Sequence, residues 1–135
     1  HPDFSTFLQN MIKEFNNKHS IHHYYKRREG SIQPINIMVK DNNHNWIGGI
    51  TAEVCWNWLE INYIWFHEDY RGEGLGSTLL KKAEEIAKQK GAAKAKLTTF
   101  EFQARSFYEL KGYTVVGEIK DYPPGSSFYT MVKVL

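Results

Sequence analysis

Between Tyr70 and Leu80 the chain reads Tyr70-Arg71-Gly72-Glu73-Gly74-Leu75-Gly76-Ser77-Thr78-Leu79-Leu80. An apolar run, Leu59 to Phe66, precedes this stretch, and a helix-like run, Leu75 to Lys90, follows it. Three glycines and one arginine therefore fall where a strand hands over to a helix N-terminus. Such a terminus carries unpaired backbone N–H groups and the positive end of the helix dipole. Glycine removes the Cβ atoms that would hold a ligand away from that backbone. The corner suits a phosphate, and Arg71 adds a charge-assisted donor for a phosphate oxygen. Gly76 is followed by Ser77-Thr78 with no lysine, which argues against a nucleotide triphosphatase. The spacing Gly72-x-Gly74-x-Gly76 also misses the G-x-G-x-x-G of dinucleotide binders.

The pattern Arg71-x-x-Gly74-x-Gly76 resembles the acetyl-CoA pyrophosphate motif of the GNAT superfamily of N-acyltransferases, R/Q-x-x-G-x-G/A. Two more stretches are similar to that family. Ile64-Trp65-Phe66-His67-Glu68-Asp69-Tyr70-Arg71-Gly72 resembles its L-x-V-x-P-x-x-R-G approach, with Phe66 at the Val position and Glu68 at the Pro position. Ala104-Arg105-Ser106-Phe107-Tyr108-Glu109-Leu110-Lys111-Gly112-Tyr113 resembles its A-x-x-F/L-Y-x-x-x-G-F/Y motif. An Asn often lies three residues before that Ala and touches the cofactor; here the position is Glu101, with Gln103 as a substitute contact. The resemblance implies an acetyl-CoA-dependent N-acetyltransferase with acetyl-CoA as cosubstrate and no metal. It places the cofactor on Trp65, Phe66, His67, Arg71, Gly72, Glu73, Gly74, Leu75, Gly76, Ser77 and Gln103.

In that chemistry an amine attacks a thioester. A free alkyl amine is mostly protonated at neutral pH, so a base must take its proton. The carbonyl oxygen gains charge and needs a donor. The family supplies a backbone N–H at the splayed end of a strand, which by position is Phe66 or its neighbours Trp65 and His67. The leaving thiolate needs a proton, and Tyr108 stands where the family places its tyrosine; an aromatic on a short helix also serves for packing. Glu60 stands where some members carry a catalytic glutamate. Strand alternation puts Glu60, Asn62, Ile64 and Phe66 on one face, and burial among Trp56, Trp58 and Tyr63 would raise its pKa. His67 is the second candidate base.

The elements that position these groups follow from periodicity. Phe4, Phe7, Leu8, Met11, Ile12 and Phe15 form one helical face, capped by Asp3 and expected to lie on the core. Ile32 to Val39, Trp46 to Cys55 and Leu59 to Phe66 read as a meander, with a bulge expected at Gly48-Gly49. Leu75 to Lys90 is a helix supported by Glu84 and Lys88 at i, i+4. Ala95 to Phe100, Tyr113 to Ile119 and Phe128 to Leu135 are strands, and Gln103 to Lys111 is a short helix. This order predicts an α+β fold with a mixed, mostly antiparallel central sheet flanked by helices. It resembles the GNAT fold, with that family's first strand absent, which fits a chain that begins at His1 rather than Met. One domain is expected over 1–135.

Composition sets the remaining bounds. The 135 residues are 41% hydrophobic and 24% charged, as in soluble globular proteins. A net charge of +2, from 17 basic and 15 acidic residues, is too small to indicate nucleic acid as partner. No apolar run is long enough to span a bilayer, and the polar, amphipathic N-terminal stretch is unlike a signal peptide. The single cysteine, Cys55, excludes an internal disulfide and suits a reducing, cytoplasmic setting. His19, His22 and His23 lack the partners of a metal site, and the Tyr24-Tyr25-Lys26-Arg27-Arg28 run reads as a solvated loop rather than an RNA clamp. The expected partner is a small-molecule or peptide amine, with a homodimer as a further option. A CoA-binding module without catalysis is the alternative reading.

Overall fold

The computed structural model describes residues 2–26 and 30–135. Arg27 and Arg28 of the basic run lie outside them. The chain divides into two compact units, 1–32 and 33–135.

The first unit holds helices α1 (Pro2–His19) and α2 (Ile21–Lys26). α1 starts at Pro2, so Asp3 lies inside its first turn, where a carboxylate faces the positive end of the dipole. The apolar face from Phe4 to Phe15 forms as its spacing predicts, yet no residue of α1 is buried. The core cluster is drawn from residues of the second unit. His23 is tied to Ser20, and no three metal-ligating side chains gather among the described residues.

The second unit is a six-stranded sheet in the order β1-β2-β3-β4-β6-β5. The strands are β1 (Gln33–Lys40), β2 (Trp46–Cys55), β3 (Trp58–Phe66), β4 (Lys94–Phe100), β5 (Thr114–Lys120) and β6 (Ser127–Val134). All neighbours are antiparallel except β3 and β4, which are joined through helix α3 (Leu75–Gln89) as a parallel crossover. The short helix α4 (Arg105–Leu110) links β4 to β5. No strand precedes α1 among the described residues. The β2–β3 hairpin turns on Trp56 and Asn57, both with positive φ, the geometry of a type I′ turn that matches strand twist.

Two irregularities shape the meander. Val39 pairs with Gly48 and Lys40 with Trp46, so Ile47 is the extra residue there. Thr51 pairs with Tyr63 and Ala52 with Ile61, so Asn62 is extra in β3. Gly48 and Gly49 themselves stay in register. Their glycine character has another cause: a Cβ on Gly48 would collide with the Phe66 ring, and one on Gly49 with the Ile37 carbonyl.

α3 packs on β1, β2 and β3. It buries Leu79, Leu80, Ala83, Glu84 and Ala87, and its apolar residues join Ile50, Leu59, Leu97 and Met131 in one core cluster. Glu84, expected to pair with Lys88 on the surface, is instead a buried acid. Tyr113 donates to its Oε2 at 2.8 Å, and Lys133 Nζ donates to both oxygens at 2.9 and 3.2 Å. A buried carboxylate is tolerated only when satisfied in this way, and this one ties α3 to β6. Replacing Lys133 with Met should therefore leave the carboxylate short of its charged partner. Urea unfolding should show a loss of about 1.5–3 kcal/mol, the range for hydrogen bonds to charged groups; a loss below 0.5 kcal/mol would mean that Glu84 reaches water.

Candidate active site

The β3–β4 ladder is short. Trp58, Leu59 and Glu60 pair with Lys94, Ala95 and Lys96, and the pairing then stops, although β3 continues to Phe66 and β4 to Phe100. Beyond Glu60 the two parallel strands part, and each keeps its other neighbour, β2 and β6. The extra residue Asn62 falls two residues past the point of separation, where a bulge adds local twist.

A cavity of about 680 Å³ opens along the unpaired end of β3, bounded by the N-terminal end of α3 and by α4 with the residues leading into it. Of the predicted residues, Trp65, Phe66, Arg71, Gly72, Gly74, Leu75, Gly76, Ser77, Gln103 and Tyr108 line it. His67, Glu73 and Glu60 do not. Ile64, Tyr70, Phe102, Ala104 and Phe107 line it as well and were missed. Phe107 follows from the spacing of the α4 motif, because it sits beside Tyr108 and faces Gly76.

The glycine corner has the form a phosphate needs. Gly72 and Gly74 adopt φ of +84° and +77°, and the space where a Cβ would stand is open at both. Gly74 caps α3 without any side-chain hydrogen bond, and no acidic residue occupies the first turn. The first N–H groups of α3 therefore meet the cavity with no competing carboxylate. Arg71 is anchored rather than loose: its Nε donates to the Phe66 carbonyl at 2.9 Å.

Backbone polarity along β3 follows from the ladder. His67 N donates to Ile47 O at 2.7 Å, while Phe66 is the register partner of Gly48. Phe66 is thus at a non-hydrogen-bonded position of the β2–β3 pair, with its N–H and C=O turned away from β2. Ile64, opposite Ile50, has the same orientation. Trp65 and His67 spend their N–H groups on β2. The open edge of β3 consequently offers the N–H groups of Ile64 and Phe66. Of the three donors expected from sequence only Phe66 remains, and Ile64 joins it.

Tyr108 is buried, with 6% of its surface exposed, between the rings of Phe107 and Tyr113. Burial pushes its hydroxyl up to about 12, so it holds its proton throughout the neutral range. Gln103 does not replace the missing Asn in a simple way. Its Oε1 accepts from Phe100 N at 2.9 Å, which ends β4 and fixes the chain leading into α4.

Glu60 stands elsewhere. The bulge at Asn62 breaks the alternation, and β3 buries Leu59 and Ile61 before it and Phe66 after it. Glu60 therefore shares a face with Tyr63 and Trp65, not with Phe66, which corrects the expected arrangement. Its side chain is 49% exposed and lies 3.8 Å from Lys96 Nζ, not buried among tryptophans. It lines a second hollow of about 390 Å³ with Asn62, Tyr63 and Thr98, at the point where β3 and β4 separate. His67 accepts a hydrogen bond from Asp69 N on Nδ1 at 3.1 Å. That nitrogen caps the 3₁₀ turn Glu68–Tyr70 and is not available as a base.

Comparison with known proteins decides the family. The family model described as "Acetyltransferase (GNAT) family" matches residues 5–113. The chain belongs to the GNAT acetyltransferase family. It is 39% identical over 89 residues to a blasticidin-S acetyltransferase of Streptomyces morookaense, a match spanning 65% of this chain and 65% of that relative, just under two thirds of its length. It is 28% identical over 105 residues to the acetyltransferase Atu2258 of Agrobacterium fabrum, covering 78% of this chain and 77% of the relative. A crystal structure of an acetyltransferase from Bacillus cereus superposes with a TM-score of 0.82 at 29% identity, covering 97% of this chain and 91% of that one. The GNAT fold expected from the motifs is thus the fold observed.

The buried Tyr108 hydroxyl has a measurable signature. Between its ordinary pKa of 10.0 and about 12, the folded chain keeps a proton that the unfolded chain releases. The stabilisation is complete below pH 10 and is lost as pH rises toward 12. Urea unfolding followed from pH 9 to 12 should show a shallower decline for Tyr108→Phe than for wild type. Equal slopes would place the hydroxyl in water.

Proposed function

We propose that this GNAT acetyltransferase moves an acetyl group from acetyl-CoA to a primary amine of a small molecule, by direct attack in a ternary complex. The observation that carries the reading is the continuity of one cavity. It joins the glycine corner, the outward N–H groups of Ile64 and Phe66, and the protonated Tyr108. The pyrophosphate would lie on the N–H groups from Arg71 to Ser77. The pantetheine arm would run along the open edge of β3 toward the point of separation, its amide meeting Phe66 and its thioester carbonyl meeting Ile64, which lies deeper. In the reaction the amine nitrogen bonds to the carbonyl carbon and the oxygen takes the displaced electron pair, held by the Ile64 N–H. The oxygen's pair then re-forms the carbonyl as the carbon–sulfur bond breaks, sulfur leaves with the pair of that bond, and Tyr108 supplies its proton. The proton lost by the amine passes through water to Glu60, which faces the separation of the strands from the second hollow.

The acceptor enters from that hollow. The likeness to a blasticidin-S acetyltransferase favours an amine-bearing small molecule over a peptide. Thiol release from acetyl-CoA, screened over blasticidin S, aminoglycosides, polyamines and peptides, tests this: turnover confined to peptide amines would overturn the acceptor class.

Two variants separate the roles. Tyr108→Phe keeps the ring packing and removes only the hydroxyl. Turnover should fall about 10²-fold with acetyl-CoA affinity by calorimetry unchanged, and wild-type turnover would return Tyr108 to packing alone. Glu60→Gln should lower kcat at neutral pH and recover at high pH, where the amine is already neutral. A pH–rate profile parallel to wild type would remove Glu60 as the base.

A further inference from the structure

Phe66 presents both its N–H and its carbonyl to the opening between β3 and β4, because both groups of a non-hydrogen-bonded residue point the same way. An edge of this kind is ambiguous to a ligand built of amides, which can pair with it in more than one register. The carbonyl is not free, however. Arg71, five residues on and beyond the 3₁₀ turn, returns its Nε to that oxygen at 2.9 Å, while the residue itself lines the cavity at the phosphate corner. Arginine is suited to two tasks at once: a planar fork with several fixed donors can hold a carbonyl through one nitrogen and present the others elsewhere.

We propose that Arg71 is a positioning residue that sets the register of the pantetheine arm, beyond any charge it offers to phosphate. With one lone pair of the Phe66 carbonyl held by Arg71, an incoming amide carbonyl pairs with the Phe66 N–H, while a ligand N–H must share the carbonyl with the guanidinium. A slip of the arm would make a ligand N–H compete with Arg71 for that oxygen. Arg71 thereby fastens the phosphate loop to the strand edge and fixes how far the thioester reaches past Phe66 toward Ile64. This inference rests on the acetyl-CoA reading above.

Two substitutions divide the tasks. Arg71→Lys keeps the cation but has one donor centre and no fork. Acetyl-CoA Kd by calorimetry should stay within about threefold of wild type while kcat falls at least tenfold, as expected when placement and not binding is lost. Arg71→Gln keeps an N–H for the Phe66 carbonyl and loses the charge; Kd should weaken about tenfold, with kcat falling less than in Arg71→Lys. Parallel changes of Kd and kcat in both variants, or an unchanged kcat in Arg71→Lys, overturn the proposal. Should Arg71→Lys not fold, Arg71→Met against Arg71→Gln gives the same contrast, since both lack the charge and only Gln keeps the donor. Equal kcat in those two then refutes the positioning role. A wild-type protein that binds no acetyl-CoA refutes the cofactor reading itself, whereas wild-type turnover with undivided losses refutes this inference alone.

Discussion

The site depends on the early end of one parallel ladder. β3 and β4 share three residue pairs and then separate, although each is held along its length by an antiparallel neighbour. A central strand whose edge goes unpaired leaves polar backbone groups in need of partners. Here that deficit places two N–H groups, those of Ile64 and Phe66, on the wall of a cavity. The Asn62 bulge fits the same account, since an added residue increases twist and turns the last part of β3 away from β4. Gly48 serves it too, because a side chain there would displace the Phe66 ring. The glycine corner, α3 and α4 then close the opening on three sides.

Much of this was legible in the sequence because it resides in local patterns. The strand, glycine corner and helix from Leu59 to Lys90 require particular residue types at fixed spacing, and the motif around Tyr108 does so again. The turn between β2 and β3 falls in the gap between the runs Trp46–Cys55 and Leu59–Phe66, and β2 keeps the bounds that alternation gives it. What was not legible depends on register. A one-residue bulge reverses the faces of a strand, and nothing in the run Trp58–Phe66 marks Asn62 as the extra residue. Plain alternation therefore puts Glu60 on the face of Phe66, whereas it stands on the opposite one. Backbone direction has the same origin: that Ile64 and Phe66, and not Trp65 or His67, turn their N–H groups to the cavity emerges only from the pairing with β2.

Glu84 is a different case. Its spacing from Leu80 and Ala87 places it on the buried stripe of α3, so a buried acid was readable there. Its partners Tyr113 and Lys133 were not, because they arrive from 29 and 49 residues away. The helical face from Phe4 to Phe15 shows the limit of periodicity in another way. The 3.6-residue repeat correctly gives the helix and its apolar side, but it does not say what that side meets. His67 likewise has the chemistry of a base and is used instead as the cap of a 3₁₀ turn.

The central claim is that the opened edge of β3 receives the thioester. A crystal structure of the protein with acetyl-CoA addresses it most directly. The account predicts the pyrophosphate on the backbone of residues 71–77, and the thioester oxygen about 3 Å from the Ile64 nitrogen, with the Arg71–Phe66 hydrogen bond kept. An acyl group lying outside the separation of β3 and β4, or a carbonyl oxygen with no β3 N–H within reach, would contradict it.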